Sequence, residues 1–289
     1  MMDIVVQIAL NAVIAGAIYS LVAIGFNLIY STARFFDIGY GALATVGGYS
    51  VFYFYKMLNL PIYVSIILAI VISGAIGWLV EKLVYKKLRK EKASNVVLLI
   101  ASLGVLTVIQ AIVAILFTSQ FQTLSKDIGG QTTYEIFGGV ITQTQVLILV
   151  SGLLIMTALS LVLKYTLFGK AIRAVSDDEE VARIVGINSG RVMGWVFFIG
   201  SAIAGIAGMS VGFDTGIEPV MGLSLLLKGV IAVIVGGIGN IYGGVLGAFL
   251  LAIIENLGAW QFSGEWKDAI SFFVLIIFLI FRPQGIWPK

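Results

Sequence analysis

Apolar residues run along this chain in long stretches, and its polar residues gather into a few short islands between them. Runs of about 18 or more apolar residues suffice to cross the hydrocarbon core of a bilayer as helices. The alternating pattern of a membrane barrel strand is missing. The runs predict spans at about 4–30, 38–57, 61–80, 95–117, 146–164, 191–213, 223–236, 241–257 and 268–281. The expected fold is all-α: a polytopic helical membrane protein of about nine spans (eight to ten), in one transmembrane domain over 1–289. The stretch 223–257, interrupted by Gly236, Gly237 and Gly239, fits either two full spans or a broken, re-entrant helix.

One island stands out. Phe168 to Arg191 (FGKAIRAVSDDEEVARIVGINSGR) is charged, lies between two long apolar runs and must sit in water. Ser176 with Glu179 three residues later has the spacing of a capping box. Asp177, Asp178 and Glu180 add negative charge near the helix start, where the dipole favours it. Gly186 offers a left-handed stop. Between these limits Val181, Ile184 and Val185 recur at helical spacing, beside Arg183, and form an apolar stripe with no bilayer to bury it. A short amphipathic helix of this kind, in a loop at about 165–190, is expected to dock on a soluble partner. A solvated loop helix touching only its own protein is the plain alternative.

The charges orient the spans. Loop 81–92 holds six Lys or Arg residues, and Lys164, Lys170, Arg173, Arg183 and Arg191 lie in or beside the island. With Arg34, Arg282 and Lys289, a nine-span threading puts 14 of 18 basic residues on one face. The positive-inside rule makes that face cytoplasmic, with the N-terminus outside and the C-terminus inside. The first run, about 27 residues from Ile4 to Tyr30 after a start without basic residues, is too long for a signal segment and is expected to stay as a span. Loop 118–145, with Lys126, Asp127, Glu135 and many Thr, Gln and Gly residues, is expected to form an outer, solvent-facing cap. Cysteine and histidine are absent, which removes disulfides, thiolate metal sites and the commonest proton shuttle. The chain is not expected to be an enzyme or to hold a metal.

Inside the apolar runs the candidates are fewer. Gly39, Gly41, Gly47 and Gly48 crowd the second span, and GGIGNIYGGVLG runs from Gly236 to Gly247. Such glycines make close helix contacts. Equally, Gly236, Gly237, Gly239 and Asn240 fit a broken helix whose freed backbone groups face a translocation path. The cluster lacks the GK[ST] ending of a nucleotide loop. Asp37 precedes the second span and reads as an N-cap, or as lining the path's inner mouth with Gly39, Tyr40 and Gly41. Lys228 and Glu255 lie near the ends of their runs, where snorkelling explains them more simply than an ion pair. No carboxylate is placed at mid-bilayer, which disfavours an ion-coupled transporter.

The island GKAIRAVSDDEEVARIVGIN, the following GRVMGWVFFIGSAIAGIAG, the stretch AVIVGGIGNIYGGVLGAFLLAIIE and the ending EWKDAISFFVLIIFLIFRPQGIWP together resemble the membrane permeases of branched-chain amino-acid ABC transporters, specifically the shorter of the two that such systems pair. The resemblance covers nearly the whole chain. It implies an importer of branched-chain or similar hydrophobic amino acids working by alternating access in the plasma (inner) membrane. A second homologous permease, two cytoplasmic ATP-binding subunits and an extracytoplasmic substrate-binding protein are the implied partners; nucleic acid is not among them. The permease itself would carry no cofactor, ATP being bound by the partner subunits, and Asp177–Val185 would be the coupling helix seated in the ATPase. The family's usual N-F-[AS]-H-G appears here as Asp37-Ile38-Gly39-Tyr40-Gly41, a departure that bears on substrate preference. The nearer alternatives are a permease for urea, short amides or sugars; a stand-alone secondary transporter is the more distant one.

Overall fold

A computed structural model describes residues 2–124 and 132–287. The chain is helical nearly throughout. In order come α1 (Met2–Ala33), α2 (Gly39–Val51) widening into a π-helical turn at Phe52–Met57, and α3 (Ile62–Val80), which widens over Glu81–Tyr85 and runs into α4 (Lys86–Lys90). Next are α5 (Asn95–Phe117), a hairpin of β1 (Thr133–Ile136) and β2 (Gly139–Thr142), α6 (Gln143–Tyr165), α7 (Leu167–Asp177) and α8 (Glu179–Ile184). The chain ends with α9 (Ser189–Asp214), α10 (Met221–Gly236), α11 (Ile241–Gln261) and α12 (Lys267–Phe281).

Among the described residues six helices are long and apolar enough to cross a membrane: Asp3–Ala33, Ile62–Lys90, Asn95–Phe117, Gln143–Tyr165, Ser189–Asp214 and Ile241–Gln261. The remaining three expected spans form helices too, but shorter ones. The segment expected at 38–57 is split between the 13 residues of α2 and the π turn. Those expected at 223–236 and 268–281 are the 16 residues of α10 and the 15 of α12. At 1.5 Å per residue, α10 reaches only about 24 Å, short of a core about 30 Å thick.

The chain divides into two compact units. One gathers Leu28–Leu124 and Thr157–Leu226. Its centre is a three-helix contact of small residues: a Cβ on Gly47 of α2 would collide with the Gly205 backbone of α9, and one on Gly208 with Ala44. On the other side of α9, Gly77 of α3 admits Ser201, and Gly205 admits Ser73. Lipid tails give helices no hydrophobic reason to associate, so close van der Waals contact between small residues holds them. Beyond this seam Tyr49, Val51, Leu124, Met209 and Ile217 close an apolar cluster. Gly47→Leu is expected to force α2 from α9 at a cost of about 1–3 kcal/mol. Gly104→Leu on α5, with open space around it, should leave the melting temperature in detergent unchanged.

The other unit gathers Met1–Asn27, Ser125–Met156 and Leu227–Lys289. Ile231, Val235, Leu251 and Val274 form its apolar core. Its hairpin, within loop 118–145, is a feature the sequence does not predict. Phe137 at φ 50° and Gly138 at φ 85° form a two-residue turn with both φ angles positive, the twist that suits a tight hairpin. The side-chain amide of Gln7 then bonds both backbone groups of Val140: its Nε2 donates to the carbonyl at 3.2 Å, and its Oε1 accepts from the N–H at 2.8 Å. Gln7 thus imitates a third strand. Lys126 and Asp127, also assigned to that cap, lie outside the described residues.

Candidate functional site

The charged island is two helices, not one. The amphipathic spacing of Gly169, Ile172, Val175 and Ser176, all buried, carries α7 through Ser176, so Ser176 is no cap and the capping-box reading fails. Its hydroxyl donates to the Ser31 carbonyl at 2.7 Å. The cap of α8 is Asp178, extended at φ −153°, ψ 114°. Its Oδ1 accepts from the N–H of Glu180 at 2.8 Å and of Val181 at 3.0 Å. Aspartate caps as strongly as serine, and here it stands where the backbone turns. The exposed helix is therefore Glu179–Ile184 rather than Asp177–Val185, with Asp177 closing α7, Glu179 and Glu180 in the first turn, and Glu179 paired to Arg183. Gly186 follows at φ 89°, a left-handed end that glycine takes without strain.

Three apolar side chains at this tip face outward: Val181 is 54 % exposed, Ile184 83 % and Val185 69 %. The backbone beneath them is firmly held. Thr166 caps α7 on the N–H of Gly169 at 3.0 Å, and Arg173 donates to the Leu163 carbonyl. Arg34, at φ 59° just past α1, reaches the last carbonyls of α7, bonding Ser176 O and, at 3.4 Å, Asp177 O. A cation there also meets the negative end of the helix dipole. On the other side Arg183 Nε donates to Ser189 Oγ at 2.8 Å, and Asn188 caps α9 on the N–H of Arg191 at 3.0 Å. The tip is thus tied to the end of α1 and the start of α9. Sequence reasoning found the tip but missed Arg34, because a left-handed arginine leaves no sequence signal.

The Asp37 group lies in the same unit. Asp37 is 2 % exposed. The N–H groups of Gly39 and Tyr40 bond its carboxyl, and Tyr85 donates its hydroxyl at 2.7 Å. Asp37 therefore caps the start of α2, while Tyr40 and Gly41 are buried against protein, Gly41 in contact with the Gly222 backbone. Burial pushes the Asp37 carboxyl up to about 6, against the lowering effect of these three donors. Unfolded aspartate titrates near 4. Between about pH 4 and pH 6 the unfolded chain releases this proton first, so stability falls as pH rises. Asp37→Asn keeps an acceptor and removes the buried charge. It is expected to melt higher than the wild type at pH 7.5, by about 1–3 kcal/mol, with the gap closing at pH 4.

At 236–247 the structure has both a close glycine contact and a helix break. Gly236 and Gly243 touch through their backbones, as do Gly247 and Ala232, so α10 and α11 pack as a close glycine pair. Between them the helix breaks at Gly237 (φ 119°) and Gly239 (φ 87°). The freed groups are met by protein: Asn27 Oδ1 accepts from Gly239 N at 2.8 Å, and Asn240 caps α11 on Gly243 N at 3.1 Å. The carbonyls of Val235 and Gly236 accept from Ile286 and Trp287, at 2.9 and 3.0 Å. The ending Arg282–Trp287 folds back to finish the break.

Lys228 and Glu255 correct the sequence reading. Neither snorkels. Glu255 is fully buried, and Lys228 Nζ lies 3.2 Å from its Oε1 and 3.3 Å from its Oε2. Tyr19 donates to Oε2 at 2.7 Å, Ser271 bonds Oε1, and Asp268 meets Lys228 at 3.1 Å. Four helices contribute to this network. Its partners come from positions 19, 228, 255, 268 and 271, so distance along the chain concealed it.

Residues 8–279 match the family described as the branched-chain amino acid transport system permease component. The high-affinity branched-chain amino acid transport system permease protein LivH of Escherichia coli K12 is 33 % identical over 288 residues, covering 96 % of this chain and 93 % of the relative. BraD, the corresponding permease protein of Pseudomonas aeruginosa, is 30 % identical, with 97 % and 94 % covered. A probable LivH permease of Methanocaldococcus jannaschii is 28 % identical, with 96 % and 92 % covered. Among solved structures, PsaBC from Streptococcus pneumoniae in complex with Fab superimposes with a TM-score of 0.53 at 12 % identity, over 96 % of this chain and 92 % of that one, a likeness of fold alone. The chain is a multi-pass membrane protein, and it belongs to the family of permease components of branched-chain amino acid transport systems.

Proposed function

We propose that this permease component is the membrane-spanning part of an ATP-driven importer for branched-chain or similar hydrophobic amino acids, with α8 as its coupling helix. The observation carrying the coupling role is the tip at Val181, Ile184 and Val185: exposed apolar side chains on a short helix whose Arg183 bonds Ser189 of α9 and whose preceding helix α7 is bonded through Ser176 to the end of α1. An ATPase groove that takes up Ile184 would transmit its closure to both transmembrane helices without bending the loop. The substrate class follows the names of the relatives.

In this reading nine segments cross the inner membrane, α10 and α12 being short spans and α2 with its π turn a third. Loop 81–92, α8 and the C-terminus face the cytoplasm, as the basic residues favour. A second permease completes the path, two cytoplasmic ATPases drive it, and an extracytoplasmic binding protein delivers the amino acid. The chain carries out no chemistry and holds no cofactor; ATP stays on the partner subunits. Path candidates are Asp37, Gly39, Tyr40 and Gly41 with Gly236, Gly237, Gly239 and Asn240, acting as close-packed surfaces that separate in one state.

The test is uptake of labelled leucine into proteoliposomes holding the assembled transporter, with ATP inside and binding protein outside. Uptake is expected to require both. Uptake by this chain alone, driven by an ion gradient, would reject the reading.

A further inference from the structure

Where α3 runs on into α4, a cavity of about 270 Å³ opens against the first turn of α9. Its wall presents three cations, Lys82, Lys86 and Arg191, and one acid, Glu81. Glu81 is 2 % exposed and already paired with Arg89, so the charge left facing the cavity is positive. Lys86 reaches across Gly190, where a Cβ would lie 3.9 Å from its Nζ. Among the described residues the Arg191 guanidinium has no carboxylate partner. The start of a long helix adds a partial positive charge on the same side.

Two indoles frame this basic hollow. Trp78 and Trp195 are 41 % and 52 % exposed, and Lys82 Nζ stands 4.6 Å over the Trp78 ring. Indoles concentrate at the membrane–water boundary, with ring in the acyl region and N–H toward the headgroups. Farther along α3, Leu79 and Val71 are exposed and apolar. A soluble anion would need only the cations. Cations, boundary indoles and an adjoining apolar helix face together match a molecule that is anionic at one end and greasy at the other.

We propose that this cavity seats the phosphate headgroup of an anionic phospholipid, its acyl chains lying along the exposed face of α3. The geometry defines the site; only its assignment to the cytoplasmic leaflet rests on the orientation proposed above. A lipid held there would brace α3 against α9, next to the loop that carries α8.

The test uses the purified full-length chain, reconstituted in nanodiscs of equal parts phosphatidylglycerol and phosphatidylcholine, then stripped with detergent and weighed intact by native mass spectrometry. The wild type is expected to retain phosphatidylglycerol over phosphatidylcholine. Lys82→Gln/Lys86→Gln/Arg191→Gln should lower that retention at least about tenfold, each surface cation contributing several-fold. Lys87→Gln/Lys90→Gln, on the same loop but off the cavity, should leave it unchanged. Should the triple variant fail to fold, Arg191→Gln alone, an exposed substitution, is expected to cut retention several-fold. Equal loss in the loop control would reduce the effect to general surface charge and overturn the proposal. So would displacement of the lipid by inorganic phosphate, which would make this a soluble-anion site, or by the cognate ATPase, which would make it part of the docking surface. Transport is not measured, so this outcome is independent of the importer reading.

Discussion

Ile184→Asp is expected to abolish most substrate-stimulated ATP hydrolysis while leaving the permease folded and inserted. Ile184 is 83 % exposed at the tip of α8, so its loss removes almost no packing within the chain. In a docked groove it would be the deepest apolar contact, and a carboxylate there would be buried without a partner. Central contacts of that kind are worth about 2 kcal/mol or more, a loss near thirtyfold in docking. The measurement is ATPase activity of the reconstituted complex with and without binding protein, beside the melting temperature of the permease. The charge reversals Glu179→Lys and Arg183→Glu should reduce coupling in the same direction. Their exposed pair contributes only about 0.3–0.5 kcal/mol to stability, so the fold should survive them. Normal coupling in Ile184→Asp would mean that α8 is only a solvated loop helix.

Lys228→Met is expected to be the most destabilising single substitution in its unit. It leaves the Glu255 carboxylate, fully buried, with only the hydroxyls of Tyr19 and Ser271 for compensation. Removing one partner of a buried ion pair costs about 3–5 kcal/mol. Glu255→Gln should cost less, because the amide oxygen still accepts from one hydroxyl, its NH2 donates to the other, and Lys228 keeps Asp268. Lys228→Met/Glu255→Met should recover much of the loss, since an apolar pair of similar volume carries no desolvation penalty. Thermal melting of these proteins beside Glu255→Met, in one detergent, closes the cycle and gives the coupling between the sites directly. Snorkelling side chains would instead give small, additive effects.

These two sites also mark what could be read along the chain and what could not. Long apolar runs became helices nearly where expected, because a backbone in lipid has no other way to satisfy its polar groups. The end of α8 at Gly186 and the capping of α2 by Asp37 were legible, since each is decided within a few residues. The start of α8 was misread because both Ser176 and Asp178 can cap; the buried stripe of α7 chose Asp178 by extending helix through Ser176. The hairpin at 133–142 is held by Gln7, more than a hundred residues away. Lys228 and Glu255 each sit near the end of an apolar run, and only the packing of α10, α11 and α12 brings them together. Local chemistry was visible in the sequence; long-range partners were not.

Coupling depends on contact between α8 and the ATPase. The chain contains no cysteine, so a single introduced thiol is a unique handle. Ile184→Cys carrying a short photocrosslinker should join the permease to the ATPase in membranes, and the yield should change when ATP is trapped in its site. Phe137→Cys, 90 % exposed in the hairpin, should give no such product. Absence of an ATPase adduct from position 184, with the complex otherwise assembled and active, would mean that α8 is not the coupling helix.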